Sequence, residues 1–218
     1  MNDARAAVEP RRRRQRRAPA DGTALDVREL PSYGFGDHSL MWWGTWGIIL
    51  IEGTVFALAV MAYFYLRTRV ANWPASVDYP GPLWGTINLV IVLLSAIPNV
   101  WAKRAAEARD LPDVRKWTWV LLAIALATIA VRFLEFKSLN VRWDSNAYGS
   151  IVWTLLGLHT VHLLTDAYDT AVLAVLLVTG PLEGKRFSDV AENALYWNFV
   201  VAAWVPIYAV IYIAPRVI

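Results

Sequence analysis

The 218-residue sequence contains no cysteine and only three histidines, His38, His159 and His162. Without cysteine the chain cannot form disulfides, thiolate metal sites or a thiol nucleophile. Three imidazoles are also too few to hold several redox metal centres. Phosphate-binding glycine loops, a Ser/His/Asp order and paired catalytic acids are missing as well, so the sequence does not predict an enzyme that acts alone.

Charged residues are scarce, at 18% of the chain, whereas hydrophobic residues make up 57% and include 12 tryptophans. The charges collect in short clusters and leave five apolar segments, each near or above the roughly 20 residues needed to cross a bilayer. We therefore predict an all-α integral membrane protein with five transmembrane helices, at about 40–66, 83–102, 117–136, 148–179 and 191–213.

Residues 1–39 form a polar, Arg-rich tail, and residues 40–218 form the five-helix transmembrane domain. The arginine run at 11–17 is not followed directly by an apolar stretch, which argues against a cleavable signal peptide. No soluble domain is present to organise nucleic-acid binding, so we expect no nucleic-acid partner. The tail is instead interpreted as a cytoplasmic segment that lies against anionic headgroups.

The distribution of Lys and Arg predicts the orientation of the chain. With a cytoplasmic N terminus, 15 of the 21 Lys and Arg residues fall on the inside and 5 fall outside, while Arg132 lies within a span. When the tail is left out, 7 Lys and Arg residues still fall on the inside and 5 fall outside. We predict a cytoplasmic N terminus and a periplasmic C terminus.

Glu52 lies midway along the first span and is followed by the small residues Gly53 and Thr54. Placing a charged side chain at the bilayer centre costs about 2.5–3.5 kcal/mol of free energy, so such a residue requires a polar partner, a water-filled cavity or a function that justifies the cost. Two interpretations stay open for Glu52, a proton-sharing carboxyl that faces the bundle interior and a carboxyl that is only paired locally.

The fourth span carries a polar stripe formed by His159, His162, Asp166 and Asp169. At 100° per residue these positions fall within an arc of about 80°, so we expect them on one face of the helix. The stripe is consistent with hydrogen-bonded packing, with proton movement or with a metal site. A metal would need more ligands than this stripe offers, and we predict none.

Two further pairs of polar residues lie in or near the spans. Arg132 and Glu135 are spaced i, i+3 in the third span, which predicts an ion pair along the helix. Glu192 opens the fifth predicted span with Tyr196 at i+4, so the phenol can lie over the carboxyl. There the helix dipole would stabilise Glu192 without any function.

Several motifs, in one order, carry a family resemblance. They run from Trp43-Gly44-Thr45-Trp46 through Glu52 to Tyr63-Phe64-Tyr65-Leu66-Arg67, then Leu93-Leu94-Ser95, Tyr148-Gly149-Ser150, Gly157-Leu158-His159-Thr160-Val161-His162, and Glu192 to Trp204. In these stretches the chain resembles subunit III of haem-copper oxidases that use cytochrome c or quinol, in the short five-helix bacterial form.

The resemblance implies a V-shaped bundle in the bacterial inner membrane, packed on oxidase subunits I and II, with other respiratory complexes open as further partners. It implies an accessory role in which Glu52 supports proton uptake during O2 reduction and the pair His159 and His162 is structural. No cofactor is expected in this chain; haem and copper are expected in the partner subunits. Bound phospholipid is expected too, with four candidate contact residues, Trp43, Trp46, Tyr196 and Trp197.

The sequence departs from the family pattern in two spans. Asn198 and Val201 stand where the family has His and Asp in the fifth span, and Asp166 and Asp169 stand where it has small or apolar residues. We interpret this as a transfer of polar contacts to the fourth span that alters a partner surface or a lipid site.

Two other functions remain open at this stage. One is a subunit III-like component of another haem-copper complex, such as nitric oxide reductase. The other is a small proton or ion transporter, although broken helices and inverted halves are not evident.

Overall fold

The computed structural model describes residues 40–74, 78–180 and 184–217, and the predicted tail at 1–39 lies outside the described residues. The described chain consists of five long helices and no strand. The helices are α1 (Leu40–Arg69), α2 (Pro82–Glu107), α3 (Leu111–Lys137), α4 (Ala147–Thr179) and α5 (Gly184–Tyr208). A π-helical turn, Ala209–Ile213, and a short α6, Ala214–Val217, continue α5.

All five helices are long and apolar enough to cross a membrane, with the fifth span running from Arg186 to Val217. The predicted count of five is therefore confirmed. The helices extend past the apolar segments at several ends, because a helix continues into polar sequence until a cap or a turn stops it. The largest difference is in α5, which begins at Gly184, seven residues before the predicted start of the fifth span.

The residues at the helix ends explain where α2 ends and where α3 and α4 begin. The Asp110 side chain accepts a hydrogen bond from the backbone N–H of Asp113, and Asn146 caps α4 in the same way through Gly149. Such caps satisfy N–H groups that the helix leaves without a partner. Between α2 and α3, Arg109 has φ 56°, and the N–H of Asp110 bonds to the carbonyl of Ala105, as in a Schellman motif.

Helices α2, α3, α4 and α5 each pack against two of the others and close a ring, and α1 packs against α4 and α5. The main core lies between these helices and contains Tyr63, Leu155, Trp204 and Ile211. A smaller cluster joins the α2–α3 turn to the facing ends of α4 and α5 through Val114, Leu177 and Val190. Those two connections therefore lie at the same end of the bundle. The V shape and the orientation of the termini stay predictions.

Candidate functional site

Glu52 projects from α1 toward α4 and α5 and is 25% exposed. Its Oε2 atom accepts a hydrogen bond of 2.8 Å from the Tyr196 hydroxyl of α5. The Nε2 atom of His162, on α4, lies 3.5 Å from the same oxygen. Three helices thus meet at one carboxyl oxygen.

Small and aromatic residues of α1 allow this close approach. A Cβ atom on Gly53 would lie 3.6 Å from the Phe199 ring of α5, so the position faces another helix of the same chain. Phe56 lies one turn from Glu52 on α1. The centre of its ring is 4.8 Å from the centre of the His162 ring and 6.0 Å from the centre of the Phe199 ring. The Phe56 ring therefore packs against α4 and α5 one turn along α1 from Glu52.

Hydrogen bonding of His162 determines how many protons the site requires. Its Nδ1 atom lies 2.6 Å from the backbone oxygen of Leu158, which only accepts, so Nδ1 carries a hydrogen. A neutral His162 would then present the lone pair of Nε2 to the Glu52 carboxylate. Two acceptors at 3.5 Å repel each other unless one additional proton resides on either the imidazole or the carboxyl. A direct bond between His162 Nε2 and the Glu52 oxygen therefore requires a hydrogen on one of the two groups.

His159 lies one turn away from His162 but has a different role, because its two ring nitrogens both have partners. Nδ1 accepts from an Arg132 N–H at 3.1 Å, and Nε2 donates to the backbone oxygen of Val200 at 3.0 Å. Arginine only donates and a carbonyl only accepts, so His159 is neutral. A proton or a metal ion at His159 would break one of these bonds.

Arg132 and Glu135 lie in the interior of the ring of helices, where the Arg132 N–H is 2.7 Å from Glu135 Oε2. Glu135 also accepts hydrogen bonds from Asn88 of α2, at 3.2 Å, and from the Tyr212 hydroxyl, at 2.5 Å. The Arg132 guanidinium lies 3.8 Å from the centre of the Trp204 ring. This network joins α2, α3 and α4 to the π-helical turn after α5.

Asp166 is 1% exposed, and its Oδ2 atom accepts a hydrogen bond of 3.4 Å from Thr170. The Asn193 amide of α5 donates to the Thr170 hydroxyl at 3.0 Å. Asp169, in contrast, is exposed. Three residues of the predicted polar stripe are therefore buried, and the fourth, at the edge of the arc, leaves the helix interface.

This placement corrects the idea that Asp166 alters a partner surface, since within this chain it faces α5 and only Asp169 lies at the surface. Asn198 of the fifth span keeps a polar contact, because its Oδ1 atom accepts from Asn99 at 2.9 Å.

Three other expectations from the sequence are also wrong. Glu192 is half-buried and lies eight residues after the start of α5, too far for the dipole of the first turn to stabilise it. Tyr196 donates its hydroxyl hydrogen to Glu52 rather than to Glu192. Trp197 is 3% exposed and donates to Ser95 at 2.8 Å, which removes it from the lipid-facing candidates. Trp43 and Trp46 are exposed, and Tyr196 is half-buried.

Sequence reasoning missed the polar partners that lie on other helices, namely Asn88, Ser95, Asn99, Thr170, Asn193 and Tyr212. Each is a polar or phenolic residue within a predicted span, and such residues face the interior of a membrane bundle. That signal was present in the sequence, but it does not indicate which helix supplies the partner.

Among the described residues, no group of three or more His, Asp or Glu side chains is placed to hold a metal ion. Buried carboxyls, histidines and tyrosines instead form hydrogen-bonded clusters between membrane-spanning helices. The fold and site thus define a multi-pass helical membrane protein with buried polar clusters between its helices.

Comparison with known proteins identifies the family. Residues 41–215 match the family model described as cytochrome c oxidase subunit III, which covers most of the chain. A cytochrome c oxidase subunit 3 from Alkalihalophilus pseudofirmus is 25% identical over 177 residues, 78% of this chain and 84% of the relative. The protein of the same name from Bacillus subtilis is 22% identical over 177 residues, which are 78% of this chain and 84% of the relative. That from Corynebacterium diphtheriae is 25% identical over 173 residues, 76% of this chain and 84% of the relative.

The chain belongs to the cytochrome c oxidase subunit III family. It is an accessory subunit of a terminal oxidase, a multi-pass protein of the bacterial inner membrane, and it associates with other oxidase subunits. Subunit III of these oxidases is not the catalytic subunit.

Proposed function

We propose that this subunit packs against oxidase subunits I and II, binds phospholipid, and supplies protons to the oxidase through Glu52. Haem and copper belong to the partner subunits in this proposal. The observation that carries it is the meeting of Glu52, His162 and Tyr196 at a single carboxyl oxygen.

The cluster is suited to holding a proton and releasing it. His162 Nε2 lies 3.5 Å from the Glu52 carboxyl, close enough for the two groups to exchange a proton, and the Tyr196 hydroxyl donates to the same oxygen. With 25% of its side chain exposed, Glu52 retains access to the surroundings of the helix. A buried carboxyl without such access would exchange its proton slowly.

The exposed surface of α1 supports the proposal for lipid and partner binding. Only 11% of the apolar stretch of α1 is buried within the chain, against 33–44% in the other spans. Leu50 and Ile51, next to Glu52, are 73% and 65% exposed. Apolar surface of this kind faces lipid or another membrane subunit. Trp43 and Trp46, near the start of α1, have the amphipathic character that favours the headgroup level.

Replacement of Glu52 in the assembled oxidase tests the proton role. Glu52→Gln retains the shape of the side chain and can accept from Tyr196, but an amide does not take up a proton. We expect normal co-purification of the other subunits, with a several-fold slower uptake of protons and an earlier loss of activity during continuous turnover. Glu52→Asp should restore part of both, because it restores a carboxyl.

The matched control is Glu107→Gln at the end of α2, where an exposed carboxyl lies 3.9 Å from Lys103. This variant removes one carboxylate from the same subunit and should behave like the unaltered protein. Unaltered proton uptake and unaltered duration of turnover in Glu52→Gln would contradict the proposed role of Glu52.

A further inference from the structure

An open cavity of about 360 Å³ lies between the last turns of α2 and the first turns of α3. On its aromatic side are Trp101 and Trp117, whose ring centres are 4.6 Å apart. Trp117 also packs against the smaller core cluster, which holds this side in place. Arg104, Asp110 and Asp113 line the polar side. The cavity therefore combines two aromatic rings, one cation and two carboxyl groups.

Arg104 is a cation that its own chain leaves available for binding. Its side chain is exposed and forms no hydrogen bond or ion pair with any residue that the structure describes. Two neighbouring cations are engaged, since Lys103 lies 3.9 Å from Glu107 and Lys116 lies 4.6 Å from the centre of the Trp117 ring. The planar guanidinium of arginine offers N–H donors that match the oxygens of a phosphate group. Arg104 thus gives the cavity a binding group for phosphate.

The two carboxyl groups of the cavity lie at the start of α3, where the helix dipole stabilises negative charge. Asp110 accepts a hydrogen bond of 3.4 Å from the backbone N–H of Asp113, and neither residue forms an ion pair within the described part of the chain. Their remaining oxygen atoms can accept hydrogen bonds from a primary ammonium group, whereas a quaternary ammonium has no N–H to donate. The polar side therefore fits a ligand that carries both a phosphate and a primary ammonium.

An exposed apolar stripe on α2 leads from the cavity toward the middle of the span. Ile97, Leu94 and Val90 lie four, seven and eleven residues before Trp101, on the same face of the helix, and all three are exposed. Arg104 lies on the opposite side of Trp101, about 4.5 Å further along the helix axis. Because tryptophan favours the headgroup level, the order along α2 is charge, aromatic ring and apolar surface. A phospholipid has the same order from its head group to its acyl chains.

We propose that this cavity binds the head group of a phospholipid that carries a phosphate and a primary ammonium, such as phosphatidylethanolamine. Arg104 binds the phosphate, Asp113 accepts from the ammonium, and an acyl chain lies along the exposed stripe of α2. This inference rests on the phospholipid binding in the proposed function and adds a position and a class of head group. The site is separate from the Glu52 cluster, which is formed by α1, α4 and α5.

Native mass spectrometry of the assembled oxidase tests the site, because the mass of the intact complex counts the lipid molecules bound. The complex is delipidated in mild detergent and titrated with phosphatidylethanolamine, phosphatidylcholine or phosphatidylglycerol. We expect Arg104→Gln to require about tenfold more of each lipid to bind one of these molecules, since a charged hydrogen bond to the shared phosphate is lost. Asp113→Asn should weaken only phosphatidylethanolamine, because only that lipid has the ammonium N–H groups.

Two further variants separate a specific site from a general effect of charge. Arg109→Gln removes an exposed cation of the same turn that does not line the cavity, and it should bind all three lipids like the unaltered protein. Arg104→Lys should retain part of the binding, because it keeps a cation.

Equal binding of phosphatidylethanolamine by Arg104→Gln and the unaltered complex would overturn the inference, as would an equal weakening in Arg109→Gln. Loss of an oxidase subunit from Arg104→Gln or Asp113→Asn would also overturn it, since a partner subunit would then cover the cavity. If the unaltered complex binds no phospholipid tightly, the lipid binding in the proposed function fails. If it binds phospholipid and every variant binds equally well, only this site fails.

Discussion

At the scale of single residues, the burial of Arg132 and Glu135 requires explanation, because their side chains are 1% and 0% exposed. Removing two charges from water costs several kcal/mol per ion, and their attraction offsets this only with good geometry and further hydrogen bonds. Here Glu135 has bonds from Asn88 and Tyr212, and Arg132 has a bond to His159. The pair is thus stable only as part of a network from four parts of the chain.

We expect Arg132→Met to destabilise the protein by about 3–5 kcal/mol, since it leaves Glu135 buried without its cation. The double variant Arg132→Met/Glu135→Leu should recover part of this loss, because no buried charge remains, although Asn88 and Tyr212 lose their acceptor. The measurement is reversible unfolding of the purified subunit in mixed micelles. Lys103→Met is the control, since its pair with Glu107 is exposed and such pairs contribute up to about 1 kcal/mol. A double variant less stable than Arg132→Met would show that charge burial is not the cause.

The spacing of Arg132 and Glu135 was enough to predict that they pair, because helix geometry places i and i+3 side by side. Glu52 was recognised as an intramembrane carboxyl, but its partner Tyr196 is 144 positions away, and no local pattern links the two. The roles of His159 and His162 also differ only through contacts with Arg132, Val200 and Leu158. Such long-range partners depend on how the helices pack.

At the scale of helices, hydropathy located all five spans because apolar length is the dominant physical requirement for crossing a bilayer. It located the beginning of α5 poorly, because the polar residues before 191 are helical as well. The starts of α3 and α4 depend instead on the caps formed by Asp110 and Asn146. A cap of this type is visible in the sequence once the start of the helix is considered together with the residue before it.

Two glycines of α4 allow a matched prediction for the helix. At Gly149 an added Cβ would collide with the backbone oxygen of Arg142 and would lie 2.8 Å from the Val141 side chain, whereas at Gly157 it would meet nothing within 4 Å. We expect Gly149→Ala to cost about 1–3 kcal/mol through overpacking. Gly157→Ala should be neutral or should stabilise α4 by up to about 1 kcal/mol. Unfolding of both variants in the same micelles checks this, and equal stabilities would contradict it.

At the scale of the whole molecule, topology connects the charge distribution to the orientation of the chain in the membrane. The α2–α3 turn and the α4–α5 connection lie at one end of the bundle, joined by a hydrogen bond of 2.7 Å from Arg115 to the backbone oxygen of Leu177. The excess of Lys and Arg predicts that this end is cytoplasmic. The same prediction places the connection between α3 and α4 in the periplasm.

The lack of cysteine makes this orientation directly measurable, because any introduced thiol is the only one in the chain. Ser145→Cys places an exposed thiol between α3 and α4, and Ala108→Cys places one in the α2–α3 turn at the opposite end. With a membrane-impermeant maleimide added to intact spheroplasts, we expect labelling at position 145 at once and at position 108 only after the membrane is opened. The unaltered subunit is the background control. The reverse labelling pattern would place the α4–α5 end outside and would contradict the predicted orientation.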